Sequence, residues 1–227
     1  MKKLLLASAV ALFGLSNAQI AKGTTYVSGV VGFTQDSDNN TDKKESTFAI
    51  VPTVGYFVNT NLAIGLGVGY VNNKVEETKV TNVTPYLTLT EKGKDINNAV
   101  VVEPFIRKYW TLGEKLYFFG QLSVPMSFGS GKVEGTATLV DTTPGQPVTT
   151  ENTSISQDKN KINSFGVSVK PGLDYFLNKN WSIEATIGNF GYQSTKVDVD
   201  GAKSTDNFNF GVNLKEINFG VKYVFGK

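Results

Sequence analysis

Residues Ile217 to Phe225 alternate strictly enough to dictate their own conformation. Ile217, Phe219, Val221, Tyr223 and Phe225 hold the odd positions, and Asn218, Gly220, Lys222 and Val224 the even ones. Successive side chains of a β-strand point to opposite faces, so this segment has one apolar face and one small or polar face. After the N-terminus, no apolar run approaches the roughly 20 residues that a membrane-crossing helix requires. In lipid only helices and closed barrels satisfy every backbone polar group, so a chain like this can enter a membrane only as a barrel.

The N-terminus reads as a secretory signal. Lys2 and Lys3 form the charged region, Leu4 to Leu15 the apolar region, and Ser16-Asn17-Ala18 the small residues before cleavage. The expected division is therefore 1–18 as a cleaved signal and 19–227 as one barrel domain. The chain has no cysteine, which excludes a lipoprotein anchor and disulfides. The full chain carries 22 basic and 20 acidic residues. Losing Lys2 and Lys3 leaves 20 of each, with no basic tract, so no nucleic-acid partner is expected.

Eight alternating segments follow: Thr24–Thr34, Thr47–Val58, Leu62–Lys74, Asn97–Tyr109, Leu116–Phe128, Asn163–Leu177, Trp181–Val197 and Asn207–Phe225. Each is long enough to cross a bilayer at a tilt. Their connections alternate in length. Asn59-Thr60-Asn61, 111–115 and Asn178-Lys179-Asn180 are tight, whereas 35–46, 75–96, 129–162 and 198–206 are long and polar. The expected fold is all-β: an eight-stranded antiparallel up-and-down transmembrane barrel with short turns at one end and long loops at the other. A soluble barrel would not need this regular alternation.

Pro52 to Ile64 and Pro171 to Ile183 follow one plan, and Pro104 to Leu116 repeats it. Aromatic pairs (Tyr56-Phe57, Tyr109-Trp110, Tyr175-Phe176) precede each short turn, where an interfacial girdle belongs. Alternation places Ile64, Leu66, Val68 and Tyr70 outside, and likewise Val100, Val102 and Ile106. The phase slips twice in the last hairpin, at Phe190 after Ile187 and between Leu214 and Ile217, which reads as a bulge or an exit from the membrane.

Charged and amide side chains stand on the inward parity: Glu103 and Arg107, Gln121, Lys170 and Asp174, and Glu184. Residues four apart on a strand lie about 13 Å apart, so partners must come from other strands. The repeat sets Glu103 level with Lys170 and Arg107 level with Asp174. The expectation is a polar network across the lumen, with Glu103 paired to Lys170, and Arg107, the one arginine, serving Asp174 and Glu184. Such a network either fills a narrow lumen structurally or gates a narrow ion path.

Without histidine or cysteine, the common hydrolase triads and ordinary zinc sites lack a member. No enzyme activity, cofactor or metal is expected. The acidic runs Asp36–Asp42 and Asp198–Gly201 lack the distal Glu of a calcium loop and read as solvated tips.

The hairpins Gly55–Gly67 and Asp174–Glu184, with Pro104–Arg107 and Asn218–Phe225, resemble the small outer-membrane β-barrel family, the OmpA/OmpX-like domain, and within it the Bacteroidetes-type members called porin family. The resemblance covers the whole mature chain. It implies export to the outer membrane of a Gram-negative cell, surrounding lipid and lipopolysaccharide, and insertion by the barrel-assembly machinery. That machinery would read Phe219, Val221, Tyr223 and Phe225, although Gly226 and Lys227 follow the aromatic end. Two functions stay open. One is a monomeric structural or interaction barrel whose loops meet an extracellular partner. The other is a narrow channel for ions or small solutes.

Overall fold

The computed structural model describes residues 20–210 and 217–225. The expected signal, 1–18, and the second phase slip, within 211–216, lie outside the described residues. The described strands are β1 (Thr25–Asp38), β2 (Lys43–Asn59), β3 (Leu62–Thr84), β4 (Leu87–Thr111), β5 (Leu116–Ser123), β6 (Met126–Asp141), β7 (Thr149–Asp158), β8 (Ile162–Phe176), β9 (Trp181–Ile187), β10 (Phe190–Val197), β11 (Thr205–Asn209) and β12 (Ile217–Phe225).

Every pairing among the described residues is antiparallel, and the sheet closes on itself. β12 pairs with β1 from Thr25↔Phe225 to Val30↔Gly220, and with β9 on its other edge. The ring passes through β1, β2, β3, β4, β5 with β6, β8, β9 with β10, and β12, which makes eight positions around it. β5 and β6 count as one because both pair with β4 and β8 in a single register, interrupted at Pro125, which has no N–H to donate.

β9 and β10 differ. Their pairing with β8 shifts by one residue between Thr186↔Gly172 and Phe190↔Val169. Gly188 sits at φ +81° in the gap, so the first phase slip is a bulge at a residue that adopts the left-handed region without penalty.

The short turns match their sequence signals. Asn61 takes φ +57°, and its side chain accepts from the Ile20 N–H at 2.8 Å. Asn178 Oδ1 accepts from the N–H groups of Asn180 and Trp181, 2.9 Å each, tying off the β8–β9 turn.

At the other end the connections are long, but most of their length is not irregular loop, the stretches 142–148 and 198–204 excepted. β3 runs 23 residues and β4 25, whereas a tilted crossing needs about ten. The surplus is paired β-ribbon: β3 and β4 stay in register to Asn82↔Thr88, and β4–β6 and β6–β7 extend it into a projecting sheet. The polar Thr/Lys/Glu alternation of these segments satisfies its backbone by ladder pairing rather than by solvent.

Candidate functional site

Alternation decides which side chains enter the lumen. Near the short turns the inward residues are large. Tyr26, Phe57 and Phe119 are wholly buried, and Tyr109, Tyr117 and Phe105 nearly so. Their rings touch in series, Tyr26–Phe57 at 5.7 Å, Phe57–Tyr109 at 5.4 Å and Tyr109–Phe119 at 5.8 Å. Glycine makes room for them. The directly paired Gly55, Gly65 and Gly172 lie under the rings of Tyr26, Phe105 and Phe119, and a Cβ at any of them would fall within 2.3 Å of a ring atom.

This arrangement divides the expected girdle. In each aromatic pair before a short turn one ring faces out (Tyr56, Trp110, Tyr175) and its neighbour in (Phe57, Tyr109, Phe176), as period 2 requires. On the outside, Trp110 meets Phe118, and Trp181, Tyr223 and Phe225 form a contact chain. The outward expectations for Ile64, Leu66, Val68, Tyr70, Val100 and Ile106 match their exposure in the isolated chain. Phe219, Val221 and Phe225 of the closing strand are exposed on that face too.

Above the aromatic layer lie the charges. Lys170 Nζ donates to Glu103 Oε1 at 2.6 Å, and Gln121 Nε2 donates to the same oxygen at 3.1 Å. Arg107 donates through Nε to Gln121 Oε1 at 2.8 Å and through Nη1 to Glu184 Oε2 at 2.6 Å. Gln121 joins the two ion pairs because the register sets it opposite both Arg107 on β4 and Lys170 on β8. The Arg107 guanidinium also stacks over Phe119, 4.2 Å from the ring centre.

One expected pairing is corrected. The ion partner of Asp174 is Lys222 of β12, not Arg107. Both members are fully buried. Lys222 Nζ also donates to Tyr109 Oη at 3.4 Å, and the rings of Tyr26, Tyr109 and Phe176 surround it at 4.9–5.3 Å. The repeat that aligned Arg107 with Asp174 compares β4 with β8 and omits the closing strand, which returns beside β9. Lys222 was nonetheless legible as the one charge among the even, inward positions of β12.

The three pairs thus stack along the lumen, and a cavity of about 300 Å³ opens onto two of them, Glu103–Lys170 and Arg107–Glu184. One wall of it is Val30, Val51 and Thr53, and its polar side is Glu103, Lys170 and Glu184. At the ribbon ends, the Asp36–Asp42 run makes the tight β1–β2 tip. The Asn40 N–H donates to Asp38 Oδ1 at 2.9 Å and holds that carboxyl below its ordinary range.

Comparison with known proteins gives the family. No curated protein matches the sequence. Among solved structures, the chain is similar to the N-terminal β-barrel domain of Pseudomonas aeruginosa OprF (9% identity, TM-score 0.37, covering 91% of this chain and 100% of that one). It is also similar to Neisserial surface protein A (14%, 0.35, 91% and 99%) and to Ail, the attachment invasion locus protein of Yersinia pestis (15%, 0.27, 90% and 99%). The family model for the outer membrane protein beta-barrel domain matches residues 4–225, and with a closed eight-position ring carrying an apolar outer band, the chain belongs to that family of outer-membrane proteins.

Proposed function

We propose that this protein is a monomeric interaction barrel of the outer membrane. The membrane-embedded part serves as a base, the ribbon sheet meets an extracellular partner, and the lumen does not conduct. The observation that carries the reading is the complete burial of Tyr26, Phe57, Phe119, Asp174 and Lys222 across the barrel near its short turns. Eight strands leave room for side chains and little else, and these side chains are large, ring-stacked and ion-paired. No catalytic role is assigned to the paired carboxylates, since each faces a cation. The exposed odd residues of β12 suit recognition by the assembly machinery during insertion.

A narrow channel is the second reading, favoured by the cavity above Glu103 and Lys170. Planar-bilayer recording of refolded 19–227, with folding checked by heat-modifiable gel mobility, separates the two. The expected result is no discrete conductance. Reproducible steps that change with Glu103→Gln would overturn the proposal in favour of the channel.

A further inference from the structure

The ring closes where the two ends of the chain meet. Among the described residues β1 pairs with β12 only from Thr25↔Phe225 to Val30↔Gly220. By contrast β1 holds β2 from Thr25↔Tyr56 to Asp38↔Lys43, and β3 holds β4 from Leu62↔Lys108 to Asn82↔Thr88. The β1–β12 seam is thus short, and no turn joins its strands. Joining segments from opposite ends of the sequence costs more closure entropy than a hairpin does.

Two asparagines grip the chain on either side of this seam. Asn61 Oδ1 accepts from the Ile20 N–H at 2.8 Å, and the Asn61 N–H donates to the Ile20 carbonyl at 3.0 Å. Asn180 Nδ2 donates to the Val224 carbonyl at 2.8 Å, and the Val224 N–H donates to the Asn180 carbonyl at 2.7 Å. In each case one asparagine satisfies both backbone groups of a single residue near a chain end. Asn61 lies in the β2–β3 turn, beside β1, and Asn180 in the β8–β9 turn, beside β12. Each is the last residue of an Asn-x-Asn turn. The third short turn, 111–115, stands away from the seam and contains no asparagine; its Leu112 and Gly113 N–H groups donate back to the Leu116 carbonyl.

The grips also seat side chains. Ile20 and Val224 are buried in one cluster with Tyr26, Phe57 and Tyr109, the aromatic floor of the lumen. The Asn61 carbonyl accepts from the Tyr109 N–H at 2.8 Å, which ties the N-terminal grip to β4. Withdrawing either end would expose apolar surface of that floor to water.

We infer that Asn61 and Asn180 form a two-sided latch on the β1–β12 seam: they hold the chain ends at the short-turn mouth and set how readily the barrel opens along that seam. The latch is independent of any loop partner and of whether the lumen conducts. Its two amides work with opposite polarity, Asn61 as an acceptor through Oδ1 and Asn180 as a donor through Nδ2. An ionised carboxylate only accepts, so aspartate keeps the first grip and breaks the second for the same change of charge. Asn61 takes φ +57°, which glycine adopts freely, so Asn61→Gly removes only the side-chain acceptor.

The test is hydrogen exchange of the refolded barrel, 19–227, in phosphatidylcholine nanodiscs. Seam amides within 25–30 and 220–225 are compared with β3–β4 amides within 62–70 and 100–108. Asn180→Asp and Asn61→Gly are each expected to speed seam exchange roughly threefold to tenfold, as loss of one hydrogen bond would, and to leave β3–β4 exchange in place. Asn61→Asp is expected to match wild type. Equal acceleration of the seam and of β3–β4 by Asn180→Asp would show a general loss of stability and overturn the inference. Asn61→Asp behaving as Asn61→Gly does would overturn it as well, and this contrast decides even if Asn180→Asp does not fold.

Discussion

The lower barrel and the projecting ribbon are built from the same strands yet are held together differently. Along β4, the inward residues Glu103, Arg107 and Tyr109 are buried, whereas Glu91, on the same parity twelve positions before Glu103, is exposed. Along β3 the contrast is Ala63 against Glu77 and Lys79. Both regions are held by antiparallel backbone ladders. Only the lower one has a far wall for its inner side chains to reach, because β12 closes against β1 there. Ladder pairing alone maintains a shape, while closure turns the inner parity into a core. Stability should therefore concentrate below the cavity, and the ribbon should tolerate change.

The largest test of that contrast is removal of a lumen cation. Arg107→Ala leaves Glu184 and Gln121 without their donor, and Lys222→Met leaves Asp174 without its counter-ion. Each is expected to cost about 3–5 kcal/mol in urea unfolding of the refolded barrel, because an uncompensated buried charge remains. An unchanged midpoint in both variants would remove the distinction between the two regions.

A smaller effect is expected at the glycine seats. In Gly172→Val the new Cβ would lie 2.3 Å from the Phe119 ring and 2.6 Å from the Ala185 carbonyl. Overpacking of this kind costs about 1–3 kcal/mol. Gly93 serves as the matched ribbon site, because a Cβ added there would meet nothing within 4 Å. Gly93→Val should leave the midpoint in place.

Within the ribbon, Val80→Asp should shift stability by no more than about 0.5 kcal/mol, as for surface sites generally. Val80 is 58% exposed, so a larger loss by the same unfolding assay would mean that the ribbon packs on something.

The smallest expected effect is of pH. The hydrogen bond and charge of Lys132 hold the Glu134 carboxyl below its ordinary value of 4.5. A depressed carboxyl contributes stability that is present above that value and lost as pH falls through the lower folded-state value. The Glu134 side chain is 37% exposed and stays in contact with solvent, so acidification below pH 4.5 should move its own NMR titration without moving the unfolding midpoint attributable to the ribbon. A midpoint shift abolished by Glu134→Gln would contradict this.

How much was legible follows from the reach of each rule. Period-2 alternation is local, so the strands, the inward parity of Glu103, Arg107, Gln121, Lys170, Asp174 and Glu184, and the tight turns could be read directly. The bulge at Gly188 was visible as a phase slip, since one extra residue inverts every later side chain. Adjacent aromatics cannot both face lipid, so Tyr56, Trp110 and Tyr175 join the girdle while Phe57, Tyr109 and Phe176 line the lumen. The long polar connections looked like loops because polar alternation carries no burial signal, although it pairs as readily as apolar alternation does.

By itself, then, the sequence determined which residues lie inside and which outside, because that depends only on neighbouring positions along one strand. Only the tertiary structure decided which inside residues meet. Lys222 reaches Asp174, and Gln121 links two ion pairs, because ring closure and register bring β12, β9, β8, β5 and β4 around one narrow lumen. Those contacts span 14 to 77 residues of chain, a distance that no local periodicity encodes.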